Sequence, residues 1–132
     1  MLWLLALPTL VGCQGVAPIS GPIAFTFENR AHSTIVAVAV HNTGHDVVFL
    51  PRCGEHMLPA IERRTGDAWI NAAAAICPAN ERMDPIRVAA GEVHQDTIGV
   101  RQPGTYRLRV MILRGSMRAA SESVVSQGFE VD

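Results

Sequence analysis

The chain contains no lysine. Its eleven basic residues are all Arg, set against 12 Asp and Glu for a formal net charge of −1. So even a balance gives no electrostatic grip on nucleic acid. Apart from the adjacent Arg63 and Arg64, the Arg residues fall singly or at alternating positions rather than in the clusters that bind phosphate. Aromatic residues are also few, seven in 132, which leaves no stacking platform for sugars or bases. No Gly-rich phosphate loop, no Gly-x-Ser-x-Gly and no Cys-x-x-Cys occurs. These absences remove nucleotide-binding loops, serine-hydrolase elbows and cysteine-pair zinc or redox motifs, and no cofactor is implied. No apolar run reaches the ~20 residues that a membrane-crossing helix needs.

What the chain does have is strand patterning. Ile23–Asn29 is the first apolar-rich run, and Ser33–Asn42 places Val36, Val38 and Val40 on one face with Ala37 and Ala39 on the other. That alternation is the signature of a half-buried strand. Asn42-Thr43-Gly44-His45-Asp46 reads as a turn leading into Val47–Leu50. Leu58–Arg64 and Ala68–Ile76 flank Thr65-Gly66-Asp67 as a hairpin, although the Ala run Ala72–Ala75 would also suit the start of a short helix. Pro85–Ala89 and Val93–Val100 are parted by Ala90-Gly91-Glu92. Thr105–Leu113 alternates most cleanly, with Tyr106, Leu108, Val110 and Ile112 on one face and Thr105, Arg107, Arg109 and Met111 on the other. A polar loop, Arg114–Ser121, precedes a last strand, Ser123–Val131. Eight or nine short strands with turns at short intervals, and no convincing helix, predict an all-β sandwich or barrel. The 119 residues after position 13 (132 − 13) suffice for one domain and its core.

Ahead of that domain, residues 2–12 form an uncharged, mostly apolar run that closes in Leu10-Val11-Gly12-Cys13. As a helix it would reach only roughly 16 Å, the size of a signal-peptide core rather than of a membrane span. The stretch resembles the lipobox of bacterial lipoproteins, with an aliphatic residue three places before the Cys and a small residue directly before it. The resemblance implies that residues 1–12 are a signal peptide and that Cys13 is lipidated as the first residue of the mature protein. Residues 13–22 then make a short tether, and the domain runs over residues 23–132. It also implies a bacterial cell-envelope address, anchored to a membrane through lipid on Cys13. Gln14, where an Asp would signal inner-membrane retention, fits the outer membrane or cell surface, with the periplasmic side as the other address. Lipidation of Cys13 leaves Cys53 and Cys77 of the three cysteines, and in an oxidising compartment the default for such a pair is a disulfide.

Several segments resemble the immunoglobulin-like sandwiches of bacterial envelope proteins. They are His41-Asn42-Thr43-Gly44 after a Val-rich strand, Trp69 at mid-chain, Val88-Ala89-Ala90-Gly91-Glu92 before a strand, and Pro103-Gly104-Thr105-Tyr106-Arg107-Leu108-Arg109. The likeness covers residues 23–131 and implies an antiparallel β-sandwich of about seven to nine strands. It places Tyr106 at a tyrosine corner and Trp69 buried against a disulfide. Neither Cys53 nor Cys77 lies two residues after Tyr106, so the expected bridge is not of the antibody type. It should tie a loop near Cys53 to the strand end at Cys77.

Candidate chemistry is thin. His41 and His45 flank a turn with Asp46 adjacent, a conceivable loop metal site, although Zn²⁺ needs three or four convergent ligands. His56, Met57, Met83, His94, Met111 and Met117 are the types that bind copper, without a recognisable spacing. Ser116 lacks a nucleophile's surroundings, and Glu62, Asp67, Glu81, Asp84, Glu92 and Asp96 are the carboxylates any solvated sandwich carries. Arg87, Arg101, Arg107 and Arg109 either line up as a basic stripe or pair across strands with those carboxylates. The sequence therefore predicts a non-catalytic envelope lipoprotein whose domain binds another envelope protein or supports assembly. Two alternatives accompany it. One is a small-ligand or Cu/Zn-binding module using His41, His45, His56 or His94. The other is an envelope protease inhibitor presenting Pro51-Arg52-Cys53-Gly54-Glu55.

Overall fold

The structure is a computed structural model that describes residues 21–73 and 76–132. Cys13, the signal peptide and the tether up to Ser20 lie outside the described residues, as do Ala74 and Ala75. The described chain is all strand. Its elements are β1 (Ile23–Asn29), β2 (Ile35–Asn42), β3 (Val48–Leu50), β4 (Arg52–Cys53), β5 (His56–Met57), β6 (Ala60–Thr65), β7 (Ala68–Ala73), β8 (Ile86–Val88), β9 (Val93–Gly99), β10 (Gly104–Arg114), β11 (Glu122–Val125) and β12 (Phe129–Val131).

One sheet has the order β1-β2-β9, and the other has β7-β6-β10 with β11 and β12 also on β10. β3 pairs with the end of β10 and carries β8 beside it. All pairings are antiparallel. The core is the interface predicted by alternation: Val36, Val38 and Val40 pack with Tyr106, Leu108, Val110 and Ile112, none more than 2% exposed. Each fully buried aliphatic of this kind contributes roughly 1.5–3 kcal/mol.

Twelve strands exceed the expected seven to nine for two physical reasons. β3 and β6 run the same way along β10, against its end and its start, and the chain between them loops out as the small β4–β5 hairpin. The last strand is also broken. Ser126 donates its N–H to the Leu108 carbonyl (2.8 Å), and its hydroxyl accepts the Leu108 N–H (2.8 Å). Gln127 meanwhile turns away to donate to the Phe25 carbonyl. The pairing resumes only at β12. The Ala-rich segment continues β7 through Ala73, because tertiary pairing with β6 overrides the helix preference of Ala.

The register defines two poles. At one lie Gly21, the turns 43–46 and 89–92 and the end of β10; at the other lie the 65–67 turn, the 99–103 loop and Val131, opposite Gly104. Asn42, fully buried, organises the first pole. Its Nδ2 donates to the carbonyls of Asp46 (2.8 Å) and Val88 (2.9 Å), and its Oδ1 accepts the Gly44 N–H (3.1 Å). Tyr106 braces the other pole, donating its hydroxyl to the Gln102 carbonyl at 2.6 Å. Arg63 donates beside it to the Pro103 carbonyl. Trp69 departs from expectation. It lies half-buried on the outer face of the second sheet under the Arg107 guanidinium, 4.5 Å from its ring centre, because β7 is a sheet edge with no core behind that face.

Candidate functional site

The most unusual chemistry lies on β9, an edge of the first sheet. Its register sets His94 opposite Val40, Asp96 opposite Val38 and Ile98 opposite Val36. Since the three Val side chains point into the core, His94 and Asp96 share the inward parity. The Asp96 side chain is only 2% exposed. Burial would raise its pKa, but four donors outweigh that and hold the carboxyl below the usual range. They are the Met57 N–H (2.6 Å), His94 Nε2 (2.9 Å), His56 Nδ1 (2.7 Å) and the Thr97 N–H (2.8 Å). An ionised carboxylate can only accept, so each imidazole nitrogen facing it carries a proton.

Two of these donors come from the β4–β5 hairpin, which therefore sits clasped over the β9 edge. The Cys53–Cys77 disulfide fastens the same hairpin to the segment following β7. A third tie joins it to that segment: the Gly54 N–H donates to the Arg82 carbonyl at 2.8 Å. Gly suits position 54, because its φ of +61° lies in the left-handed region that side-chain-bearing residues rarely adopt. Closing a loop of this length stabilises the fold by about 3–4 kcal/mol in the chain-entropy picture. A Cys53→Ser/Cys77→Ser double variant should lose about that much in urea unfolding. Amide exchange should rise first at Gly54 and Met57 if the hairpin is what the bridge restrains.

The arrangement orients an imidazole. His56 is anchored at Nδ1 while 65% of its side chain is exposed, leaving Nε2 toward solvent. A buried carboxylate behind an exposed imidazole suits a base or a metal ligand. Among the described residues, however, no hydroxyl or thiol hydrogen-bonds to either imidazole. Nor do any three His, Cys, Asp or Glu residues form a group that could hold a metal ion.

The remaining sequence candidates fall apart in space. His41 and His45 are exposed at the first pole, while Asn42 between them turns inward. The copper-type set scatters, with Met57 in the core and Met83, Met111 and Met117 exposed. His56 and His94 do come together, but onto a carboxylate. Arg52 is half-buried in β4 opposite Met57, so it does not protrude as an inhibitor's basic side chain would. The outward Arg107 and Arg109 both donate to Glu62, at 2.5 Å and 2.8 Å. Burial tends to raise the Glu62 pKa, and the two guanidinium groups hold it below its ordinary value. Arg114 likewise pairs with Glu122. Arg107 and Arg109, half of the expected basic stripe, are thus engaged in cross-strand pairing rather than forming a free cationic surface. Sequence reasoning passed over Asp96 and Asn42, although the shared parity of Asp96 and Ile98 was a usable signal.

The sequence matches no protein-family model and no curated protein. Among solved structures, the X-ray structure of Northeast Structural Genomics Consortium target SoR45 is similar, with a TM-score of 0.53 and 9% identity over 83% of this chain and 85% of that one. At that identity the likeness concerns the fold alone.

Proposed function

We propose that this chain is a bacterial envelope lipoprotein, anchored through Cys13, whose domain is an immunoglobulin-like sandwich that binds another envelope protein without catalysing a reaction. The observation that carries the address is Leu10-Val11-Gly12-Cys13. The cysteine count agrees, because Cys53 and Cys77 pair with each other and the third cysteine is the one in that motif. For the sandwich type, support comes from the Tyr106 hydroxyl bracing the turn before its own strand. The order β1-β2-β9 facing β7-β6-β10-β11/β12 adds to it. For a binding role, support comes from the uncharged edge strand β7, with Ile70 exposed on it and Ile76 exposed beyond it. The first pole, where Gly21 enters, would face the membrane, and the second pole and the hairpin would face outward.

Mass spectrometry of protein extracted from membranes tests the reading. The expected mature chain lacks residues 1–12, carries acyl groups on Cys13 and resists alkylation at Cys53 and Cys77. A chain that retains its leader and has three alkylatable thiols overturns it.

A further inference from the structure

The two sheets defend their edges unequally. β1 is capped by Gln127 on the Phe25 carbonyl, and its Asn29 side chain donates to the Glu130 carbonyl. β9 is covered by the clasped hairpin and carries inward-facing Asp96. β8 has three residues, one of them charged, and the β11–β12 edge is interrupted. Short, broken, charged or covered edges are how sheets avoid pairing with foreign strands. β7 is neither short, charged nor covered among the described residues, and its irregularity is a bulge at Ala72 opposite Ile61 and Glu62. It is six residues long, Ala-Trp-Ile-Asn-Ala-Ala, with no charge and no Pro. Among the described residues its backbone pairs only with β6.

Beside this edge lies a cavity of about 640 Å³ whose lining includes Ile61, Ile70, Ile76, Val100, Arg63 and Arg101 and contains no acidic residue. Ile70 is 50% exposed and Ile76 81%. Arg63 Nε is buried there without a hydrogen-bond partner. We propose that β7 is a receiving edge for an extended segment of the partner protein, one whose cavity-facing side chains, at every second residue, include both apolar and acidic ones. Its backbone would continue the second sheet past β7. Its apolar side chains would enter the cavity against Ile70 and Val100, and its carboxylates would meet Arg101 and Arg63. The inference rests on the protein-binding reading and specifies that partner's chemistry. An interface of one short strand predicts transient, micromolar-range binding.

The test uses the purified full chain and three labelled peptides of about ten residues: a Val-Val-Glu-Glu repeat, which presents Val and Glu in turn on each face, the same with a central Pro, and the corresponding Val-Val-Lys-Lys repeat. The Val/Glu peptide is expected to bind and the Pro peptide to fail. Arg101→Glu should weaken the Val/Glu peptide about tenfold or more and favour the Val/Lys peptide. No binding at up to about 1 mM, equal binding of the Pro peptide, or indifference to Arg101→Glu overturns the proposal. A photocrosslinking residue placed separately at Ala72 and at Arg52 in cells then tells the two readings apart. Crosslinks to another protein from position 72, abolished by Arg101→Glu, support the edge. Crosslinks from position 52 alone overturn the β7 assignment and leave protein binding standing. Crosslinks from neither position overturn both, and β7-to-β7 crosslinks overturn the assignment by making the occupant a second copy of this chain.

Discussion

Asn42→Ala is expected to lower the unfolding free energy by about 3 kcal/mol, among the largest single-residue losses in this domain. The side chain makes three hydrogen bonds from a fully buried position. Its removal takes the donor from the buried Val88 carbonyl and frees the 43–46 turn. Asn42→Asp sharpens the point because the shape is kept. Oδ1 still accepts from Gly44, but the second oxygen meets two carbonyls where two N–H groups were. Burial and those dipoles raise the carboxyl's folded pKa. The destabilisation should therefore grow as pH rises from about 4 toward neutrality, when the buried group must ionise. Urea midpoints near pH 4 and near pH 7 measure this. An Asn42→Asp variant equally stable at both would show that the amide does not organise the pole.

The second large effect concerns Asp96. Asp96→Asn turns one oxygen into an NH2 group that faces N–H donors, either Met57 and His94 or His56 and Thr97. Either imidazole can change tautomer and accept from that group, so one backbone N–H is left unpaired and the charge-assisted bonds are weakened, and a loss of about 2 kcal/mol is expected near pH 7. The native carboxyl has its folded pKa depressed. Its contribution is therefore present above the unfolded carboxylate value and is lost as pH falls through the folded one. The stability gap between the parent and Asp96→Asn should narrow as the solution is taken below the ordinary carboxylate range. Met57 amide exchange should accelerate in the variant, since that N–H is the hairpin's backbone tie to β9. A gap that stays constant with pH would mean that the ionised form does not hold the hairpin.

These two residues also mark where the sequence stops being readable. The long strands were legible because burial repeats at every second residue. Tyr106, Leu108, Val110 and Ile112 announce their face, and β1 begins and ends where the apolar pattern does. The β4–β5 hairpin was not legible, since strands of two residues carry no period. Nor was the break at Ser126, where one hydroxyl substitutes for a rung of the ladder. Asp96 looked like an ordinary surface carboxylate because two of its four donors, His56 and Met57, arrive from a hairpin about 40 residues earlier in the chain. Trp69 looked like core because aromatics usually are, whereas an edge strand offers it only one covered side and an Arg to stack on. The turn at Asn42 was read correctly as a turn. Its contact with Val88, 46 residues away, shows that two segments of the immunoglobulin-like resemblance are one hydrogen-bonded unit.

The placement of Gly21 and Val131 at opposite poles has a mechanical corollary. Tension applied between Gly21 and Val131 would run along the strands. β1 would resist in shear through seven paired residues on β2, whereas β12 is held to β10 by three. The C-terminal strand is the weaker link, and a stretched molecule would shed it before the N-terminal strand gave way.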